Sequence, residues 1–339
     1  MLLRMAGTAQ PDDLDARIAG ALQLDGRASW SLIARQLGVS ESAVLRRVSA
    51  LHAARRLRVI GVVDVLRCGF GVPVLVRMRC RPGTANAVAD VVAAHPETRY
   101  VAVLTGGADA AAEIVVPGYA DLAHVVDGGF GGPDVTAVES AAVIRTFASN
   151  HDWDPGVLGG EAAAALRAGA PPRPFEEGHP DGPPEQLDAT DLAVVAALGE
   201  DGRMSYTEIA NRTGVSESTA RRRVDSLVRR GCLRFRTLAE PELFGFGVEF
   251  MAWLSVRPGD LDEAARTLAA DPATRYLSAT TGTFGLVAQV ALRRHGDLYR
   301  YLTEVIGTLP GVDRAETTLQ LRTLKRAWAP TPAARMEDV

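Results

Sequence analysis

Two stretches of the chain decide its fold, because they are nearly identical. Residues 38–48 read GVSESAVLRRV, and residues 214–224 read GVSESTARRRV, 176 residues later. The same offset relates Arg81-Pro82-Gly83 to Arg257-Pro258-Gly259. We therefore predict two copies of one structural unit in a single polypeptide that imitates a two-fold dimer. Two-fold symmetric proteins are suited to reading two-fold symmetric DNA.

The bulk composition is that of an ordinary globular protein. The chain has 339 residues, 47% of them hydrophobic and 23% charged, which suits two to four domains. Its opening residues carry no long apolar run, and no segment has the roughly 20 apolar residues that span a bilayer. We therefore expect a cytoplasmic protein without a membrane partner. The three cysteines lack metal-binding spacing, which favours a reduced compartment and no bound metal.

Each copy is predicted to open with a unit of three helices, over residues 12–60 and 187–235. In the first copy, Ala34 is small enough for two helices to approach closely, Gly38 permits a sharp turn, and Val44 anchors the next helix. The matching residues of the second copy are Ala210, Gly214 and Ala220. This spacing is typical of a winged-type helix-turn-helix, whose second helix enters the major groove of DNA.

The third helix of each copy is the predicted recognition helix, because serines and arginines occupy its outward positions. The net charge of the chain is −4, but a local basic patch is what contact with phosphates requires. We expect DNA contacts from Ser40, Ser42, Arg46, Arg47, Ser216, Ser218, Arg221, Arg222 and Arg223. The alternative for Arg47 and Arg223 is that they pair with acidic residues of their own domain.

A strand-rich unit follows each helical unit. Its apolar runs predict the order β-α-β-β-α-β, a ferredoxin-like sandwich, over residues 61–150 and 236–328, so the fold class is α+β. One face of such a sheet is bare, and we expect the two sandwiches to pack on each other, within the chain or between chains. Further homo-oligomers are compatible with either arrangement.

The remaining segments are predicted to lie outside the packed units. Residues 151–186 are expected to form a linker with a short helix at 161–167, because residues 170–184 are rich in proline, glycine and charge. Residues 1–11 are expected to form a tail, and residues 329–339 a disordered one.

These features resemble the Lrp/AsnC transcription factors. The resemblance rests on the Asp-Gly-Arg and Gly-Val-Ser triplets of both copies, the Ile-Ala pairs at 33–34 and 209–210, and Gly311-Val312 before the last strand. It implies a sequence-specific transcriptional regulator that binds double-stranded DNA through the helical unit. It also implies that the sandwich binds a small effector, usually an amino acid. Because family members are dimers of single-copy chains, it implies a pseudodimer within this chain.

The resemblance also implies where the effector binds. In the family it lies between neighbouring sandwiches, near a loop of the form T-G-x-x-D. The matching residues are Thr105, Gly106 and Asp109 in the first copy and Thr281 and Gly282 in the second, where Gly285 replaces the aspartate. The repeated Tyr100 and Tyr276 complete the expected effector-binding set. The two pockets therefore differ in their polar groups.

An enzymatic alternative comes from the siroheme decarboxylases, which resemble the same family and include fused double copies. Their chemistry uses arginine and histidine residues after the helical unit, whereas residues 58–71 and 234–247 contain no histidine. A sensor that no longer binds DNA is a second alternative, which the arginines of both recognition helices oppose. No phosphate-binding loop or nucleophile motif occurs, so we expect no catalytic residue, no cofactor and no enzymatic activity.

Overall fold

The structure is a computed structural model that describes residues 13–127, 130–150, 152–170 and 183–331, with the backbone alone at 124–127. The predicted amino-terminal tail, residues 151 and 171–182 of the predicted linker, and residues 332–339 of the other tail lie outside the described residues. No helix in the described part of the chain is both long and apolar enough to cross a membrane.

The first copy begins with three helices and continues into a strand-rich unit. Its elements, in chain order, are α1 (Asp13–Leu24), α2 (Trp30–Leu37), α3 (Glu41–Ala53), β1 (Leu57–Val63), β2 (Val72–Cys80), α4 (Ala85–Ala94), β3 (Thr98–Thr105), β4 (Ala110–Val116), α5 (Tyr119–Asp127) and β5 (Val135–Ala148). Gly38 ends α2 in the left-handed conformation, with a φ of 69°. The Ser40 side chain then caps α3 by accepting a hydrogen bond from the Ala43 N–H. The predicted turn of the helix-turn-helix is thus confirmed.

The predicted linker contains an ordered helix before the second copy begins. This helix, α6 (Gly160–Gly169), lies where the sequence predicts one and buries Ala163 and Leu166 in the core of the first helical unit. The elements that follow are α7 (Ala189–Glu200), α8 (Tyr206–Thr213), α9 (Glu217–Arg229), β6 (Leu233–Ala239), β7 (Val248–Val256), α10 (Leu261–Ala269), β8 (Thr274–Thr280), β9 (Leu286–Leu292), α11 (Asp297–Arg300), β10 (Val312–Arg326) and β11 (Ala329–Pro330). Ala329 and Pro330, which fall within the predicted disordered tail, form β11 and pair with β10.

The two copies first meet in a two-stranded ribbon, in which β1 pairs antiparallel with β6. Ile60 lies directly opposite Arg236, and these residues occupy matching positions, because the repeat offset of 176 separates them. A pseudo-two-fold axis therefore passes between Ile60 and Arg236. The ribbon strands also cross the predicted domain boundaries after residues 60 and 235.

Each strand of the ribbon packs against a helix of the other copy. A Cβ atom added to Gly61 of β1 would lie 2.9 Å from the Cβ atom of Leu198 in α7. On the other strand, the Thr237 hydroxyl donates a hydrogen bond of 2.6 Å to the Leu22 carbonyl of α1. The two helical units are therefore joined through exchanged strands.

The two sandwiches close into one barrel. The strand order is β3-β4-β2-β5 in the first copy and β8-β9-β7-β10 in the second, which is the predicted ferredoxin-like arrangement. β5 pairs with β8, and β10 pairs with both β3 and β7, so eight strands form a closed ring. The predicted packing of one sandwich on the other is confirmed, and it occurs within the chain.

The bare faces of the two sheets line the interior of this barrel. Successive residues of a strand face opposite sides, so Val76 of β2 packs in the cluster beneath α4 while its neighbour Leu75 points inward. Leu75 shares a buried cluster with Met251 and Trp253 of the other copy. The interior is therefore built from both copies.

Candidate DNA interface and ligand sites

The outward faces of α3 and α9 are open to solvent, as a DNA-binding surface requires. The exposed residues are Ser42, Leu45, Arg46, Ser218, Arg221 and Arg222. Ser40 and Ser216 are exposed too and act as helix caps, accepting hydrogen bonds of 3.2 Å from the N–H groups of Ala43 and Thr219. A helix amino terminus attracts phosphate through its dipole, so this end of each helix is suited to DNA.

Arg47 and Arg223 are half-buried and bound to their own domains. Arg47 pairs with Asp15 at 3.5 Å, and Arg223 pairs with Asp191 at 3.1 Å and with Asp188 at 2.7 Å. Asp15 and Asp191 are matching residues, so the same ion pair ties the recognition helix to the first helix in both copies. These contacts fit the alternative in which the two arginines position the recognition helices.

The two recognition faces differ at a central position. Leu45 of α3 is 41% exposed, and the matching residue of α9 is Arg221. The Arg221 guanidinium lies 4.6 Å from the centre of the Tyr206 ring, which supports its side chain. The two helices therefore present different groups to a DNA groove.

Arg27 and Arg203, which we call the arginine clasp, join the two helical units. Arg27 donates a hydrogen bond of 2.6 Å to the Gly202 carbonyl, and Arg203 donates one of 2.6 Å to the Gly26 carbonyl. The Arg203 guanidinium also stacks on Trp30, 3.6 Å from the ring centre. Burial and the charge of Arg27 lower the pKa of Arg203 to about 10. The clasp and the ribbon together set the separation of the recognition helices.

The predicted effector-binding residues lie at opposite ends of the barrel. Tyr100 and Thr105 both belong to β3, and five residues of strand separate them by about 16 Å. Thr105, Gly106 and Asp109 lie at the end far from the ribbon, whereas Tyr100 and Tyr276 line a cavity at the end next to it. The structure therefore does not bring this set together into one site.

The first of the two predicted loops borders an open cavity of about 270 Å³, which we call the loop cavity. Gly107 and Ala108 line one side, and Phe284 from the matching loop of the second copy lines another. Asp109 is half-buried, and its carboxylate accepts a hydrogen bond of 2.8 Å from the Cys80 N–H. Asp109 thus fixes the shape of the loop beside the cavity.

Charged side chains from both copies surround the loop cavity. Arg77 pairs with Glu316 and, at 3.3 Å, with Glu139, and its guanidinium lies 4.4 Å from the centre of the Trp253 ring. Arg314 also lines the cavity, with its side chain 64% exposed. The cavity therefore offers cations for a carboxylate and acids for an ammonium group.

Thr281 and Gly282 help to join the two copies. The Thr281 hydroxyl accepts a hydrogen bond of 2.9 Å from the Ala142 N–H, and the Thr281 N–H donates one of 2.9 Å to the Ala142 carbonyl. These bonds extend the pairing between β5 and β8. Gly282 has a φ of 89°, which other residues rarely adopt. The contacts of both residues are thus structural.

The opposite end of the barrel encloses a second cavity beneath the ribbon, which we call the inner cavity. Among its lining residues are Val62, Arg99, Tyr100, Asn150, Arg236, Tyr276 and Arg326. Burial raises the pKa of Tyr100 and of Tyr276, so both are neutral hydrogen-bond donors. The Tyr100 hydroxyl donates a bond of 2.6 Å to Oε1 of Gln320.

Glutamates neutralise three arginines around the inner cavity. Arg99 pairs with Glu113, while Arg275 and Arg326 share Glu249, at 2.8 Å for Arg326. Although burial acts in the opposite direction, Arg326 and Arg275 hold the pKa of Glu249 below its usual value. Both glutamates are therefore already occupied by protein cations.

Comparisons with known protein families find the same two domains in each copy. The AsnC-type helix-turn-helix domain matches residues 12–52 and 187–228, and the Lrp/AsnC ligand binding domain matches residues 73–152 and 249–329. The chain belongs to the Lrp/AsnC family. An uncharacterised HTH-type transcriptional regulator of Pyrococcus abyssi is 35% identical over 147 residues, which are 42% of this chain and 92% of that protein. The HTH-type transcriptional regulator Ptr1 of Methanocaldococcus jannaschii is 32% identical over 140 residues, 41% of this chain and 95% of that protein.

Crystal structures of another protein are similar to both copies of this Lrp/AsnC chain. The crystal structure of the siroheme decarboxylase NirDL has a TM-score of 0.60, is 15% identical, and is covered over 93% of each chain. At that identity the likeness shows a shared fold alone.

The Lrp/AsnC resemblance pointed to the loops and not to the arginines of the inner cavity. Arg99 and Arg275 recur at the repeat offset, each before a tyrosine, and that repetition was a usable signal. Arg236 gave no such signal, because the matching residue is Ile60. Only the pairing of β1 with β6 shows that Arg236 lies at the axis.

Proposed function

We propose that this Lrp/AsnC chain is a sequence-specific transcriptional regulator that reads one operator with two unlike recognition helices. The observation that carries this proposal is the exposure of Arg46 and Arg222 at matching positions of α3 and α9, on units joined by the ribbon and the arginine clasp. Two readers in one chain turn two weak half-site contacts into one tight contact. The paired helices therefore favour a duplex with two half-sites.

The difference between the helices favours an operator whose half-sites also differ. Two identical subunits read the same sequence twice, but here Leu45 stands where the other helix has Arg221. An arginine favours guanine, whereas an apolar side chain favours the methyl group of thymine. We therefore expect guanine in one half-site where the other has thymine.

A small effector of the amino-acid class is proposed for the loop cavity. Its volume of about 270 Å³ is close to the roughly 300 Å³ at which ordinary ligand pockets begin. We expect Arg314 to bind a carboxylate and Glu139 to bind an ammonium group, because both line this cavity. A ligand that prefers one packing of the two sandwiches would shift the spacing of the recognition helices.

The decarboxylase alternative is supported by a likeness of fold alone. The two relatives described above, which are 35% and 32% identical, are named as transcriptional regulators. In the described part of the chain, none of the residues lining the inner cavity is a histidine. The function of a regulator is therefore better supported.

The test is DNA binding by the full chain, measured by fluorescence anisotropy on the region upstream of its own gene. Arg46→Ala and Arg222→Ala should each weaken binding about tenfold, because each removes one cationic contact. Arg266→Ala, which removes an exposed arginine of α10, is the matched control and should leave the affinity unchanged. The affinity of the wild type should fall steeply with salt. Unchanged affinity in both variants, or a flat salt response, would place the DNA contact elsewhere.

A further inference from the structure

The inner cavity lies beside the pseudo-two-fold axis, between the ribbon and the barrel. Its volume is about 80 Å³, several times the roughly 15 Å³ that suffices for one water molecule. Its walls come from both copies, with Arg99 and Tyr100 from the first and Arg236 and Tyr276 from the second. A small molecule held there would touch both the ribbon and the barrel.

Arg236 brings to this cavity a guanidinium that is paired with neither of the acids that line it, Asp64 and Glu113. The residue is half-buried, and its guanidinium forms no ion pair or hydrogen bond with the described residues. Burial and the positive charges of Arg326 and Arg275 lower the pKa of Arg236 to about 9. An enclosed cation without a partner is costly, and an anion bound beside it would remove that cost.

Other hydrogen-bond donors at the cavity also lack acceptors. The Tyr276 hydroxyl and the Nε and Nη1 atoms of Arg326 have no hydrogen-bond partner among the described residues. These side chains are well buried, since the residues are only 5% and 3% exposed. Glu113 and Glu249 cannot serve them freely, because both are paired with other arginines or with the remaining nitrogen of Arg326. Most of the side-chain atoms without a partner at this cavity are therefore donors, which require a hydrogen-bond acceptor.

We propose that the inner cavity binds one small carboxylate per chain. The guanidinium of Arg236 matches the two oxygens of a carboxylate, and the Tyr276 hydroxyl supplies a further donor. The Oδ1 atom of Asn150, which has no partner among the described residues, suits an amino or hydroxyl group next to that carboxylate. The ligand is thus a small amino acid or a small organic acid. This site is separate from the loop cavity at the far end of the barrel.

The site exists because the two copies are not identical. Ile60 faces Arg236 across the axis. Two identical chains would place either two arginines or two isoleucines there, with Cα atoms about 4.5–5.5 Å apart. Two arginines would repel each other, and two isoleucines would hold no anion. A single arginine at the axis gives a single site.

Thermal unfolding of the full chain tests this proposal, with glycine, glycolate, acetate, inorganic phosphate and chloride as probes at equal ionic strength. A carboxylate should raise the melting temperature of the wild type. Arg236→Ile gives the second copy the residue of the first. This variant should melt about 2 °C higher than the wild type without ligand, because the unmatched charge is gone. It should also respond to no carboxylate, whereas the control Arg266→Ile should keep the response.

Titration calorimetry with the most stabilising carboxylate should give one site per chain. Binding should be roughly ten- to a hundredfold weaker in Arg236→Ile and about fivefold weaker in Tyr276→Phe, which removes only a hydroxyl. Glycine binding more tightly than glycolate and acetate would identify an amino-acid ligand. Glycolate or acetate binding at least as tightly would identify an organic acid.

Several results would overturn the proposal. These are equal responses from the wild type and Arg236→Ile, no stabilisation by any carboxylate, or equal stabilisation by phosphate or chloride. Two sites per chain would also overturn it, because a single arginine at the axis gives a single site. Asp109→Ala, which alters the loop beside the other cavity, should leave carboxylate binding by the inner cavity unchanged, so failure at one cavity can be told from failure at the other.

Discussion

The arginine clasp and the centre of the ribbon are both contacts between the copies, but only the clasp is symmetric. Arg27 and Arg203 each donate to a glycine carbonyl of the other copy, at the same distance. At the centre of the ribbon, Ile60 faces Arg236, although the two positions match. The clasp residues lie away from the axis, so each contacts a residue other than its own counterpart. The same residue type can therefore occupy both positions. A residue on the axis meets its own counterpart.

The same difference appears inside the barrel. Arg77 and Trp253 occupy matching positions, and the guanidinium of one lies over the ring of the other at 4.4 Å. Identical subunits would bring two arginines or two tryptophans together here. Fusion of the copies removes that restriction, because each side of the axis can then carry its own residue.

Placing the same residue on both sides of the axis should have the largest effect on the free energy of unfolding. Trp253→Arg places a second guanidinium beside Arg77 in a buried site and should lower the free energy of unfolding by about 3–5 kcal/mol. The exchange variant Arg77→Trp/Trp253→Arg restores an unlike pair and should recover most of that loss. Urea denaturation followed by circular dichroism measures both changes.

The exchange Leu75→Met/Met251→Leu is the matched control for that experiment. These two buried residues also occupy matching positions and share one cluster, but neither is charged. The control should change the free energy of unfolding by less than about 1.5 kcal/mol. An Arg77/Trp253 exchange variant no more stable than Trp253→Arg would mean that the surroundings of the axis are not equivalent.

Removing either half of the arginine clasp should have a smaller and nearly equal effect. Arg27→Ala and Arg203→Ala each delete two hydrogen bonds to carbonyls of the other copy and a contact with an aromatic ring. Each should therefore lower the free energy of unfolding by about 2–3 kcal/mol. Arg203→Lys keeps the positive charge but loses the planar guanidinium with its several donors. Its free energy of unfolding, measured by urea denaturation, should lie between those of the wild type and Arg203→Ala. A large loss in only one copy would contradict the symmetry of the clasp.

Substitutions in the predicted effector loops should have the smallest effect on the free energy of unfolding. Asp109→Ala removes the acceptor for the Cys80 N–H and should lower the free energy of unfolding by about 1 kcal/mol. It should also abolish any rise in melting temperature that an amino acid produces through the loop cavity. Gly285→Ala changes the matching position of the second copy and should leave that rise intact. A response that survives in Asp109→Ala would remove this loop from the effector site.

The helical units could be predicted from the sequence because their signals are local. Gly38 and Ser40 lie next to the elements that they end or begin, and Gly214 and Ser216 repeat them. The order of strands and helices in the sandwiches followed in the same way from runs of apolar residues. Repetition at a fixed offset strengthened each of these predictions.

The contacts between distant residues could not be predicted in the same way. The sequence left open whether the sandwiches meet within the chain or between chains, because both arrangements bury the same faces. It placed Arg47 at the edge of a recognition face, but no local pattern shows that Asp15 lies within reach. Tyr100 and Thr105 are far apart because they lie at different positions along one extended strand. The resemblance to a loop motif carries no information about that distance.

The closed ring has a consequence for how the chain is made. β3 can complete its pairing only with β10, and Thr105 is joined to Leu319, 214 residues later. At about 5–20 residues per second, a ribosome needs roughly 10–40 s to add that length. During synthesis, one side of β3 and one side of β5 therefore remain open to other nascent chains. Because one gene encodes both halves of the pseudodimer, the open strand edges of the first half must be protected from other chains until the second half has left the ribosome.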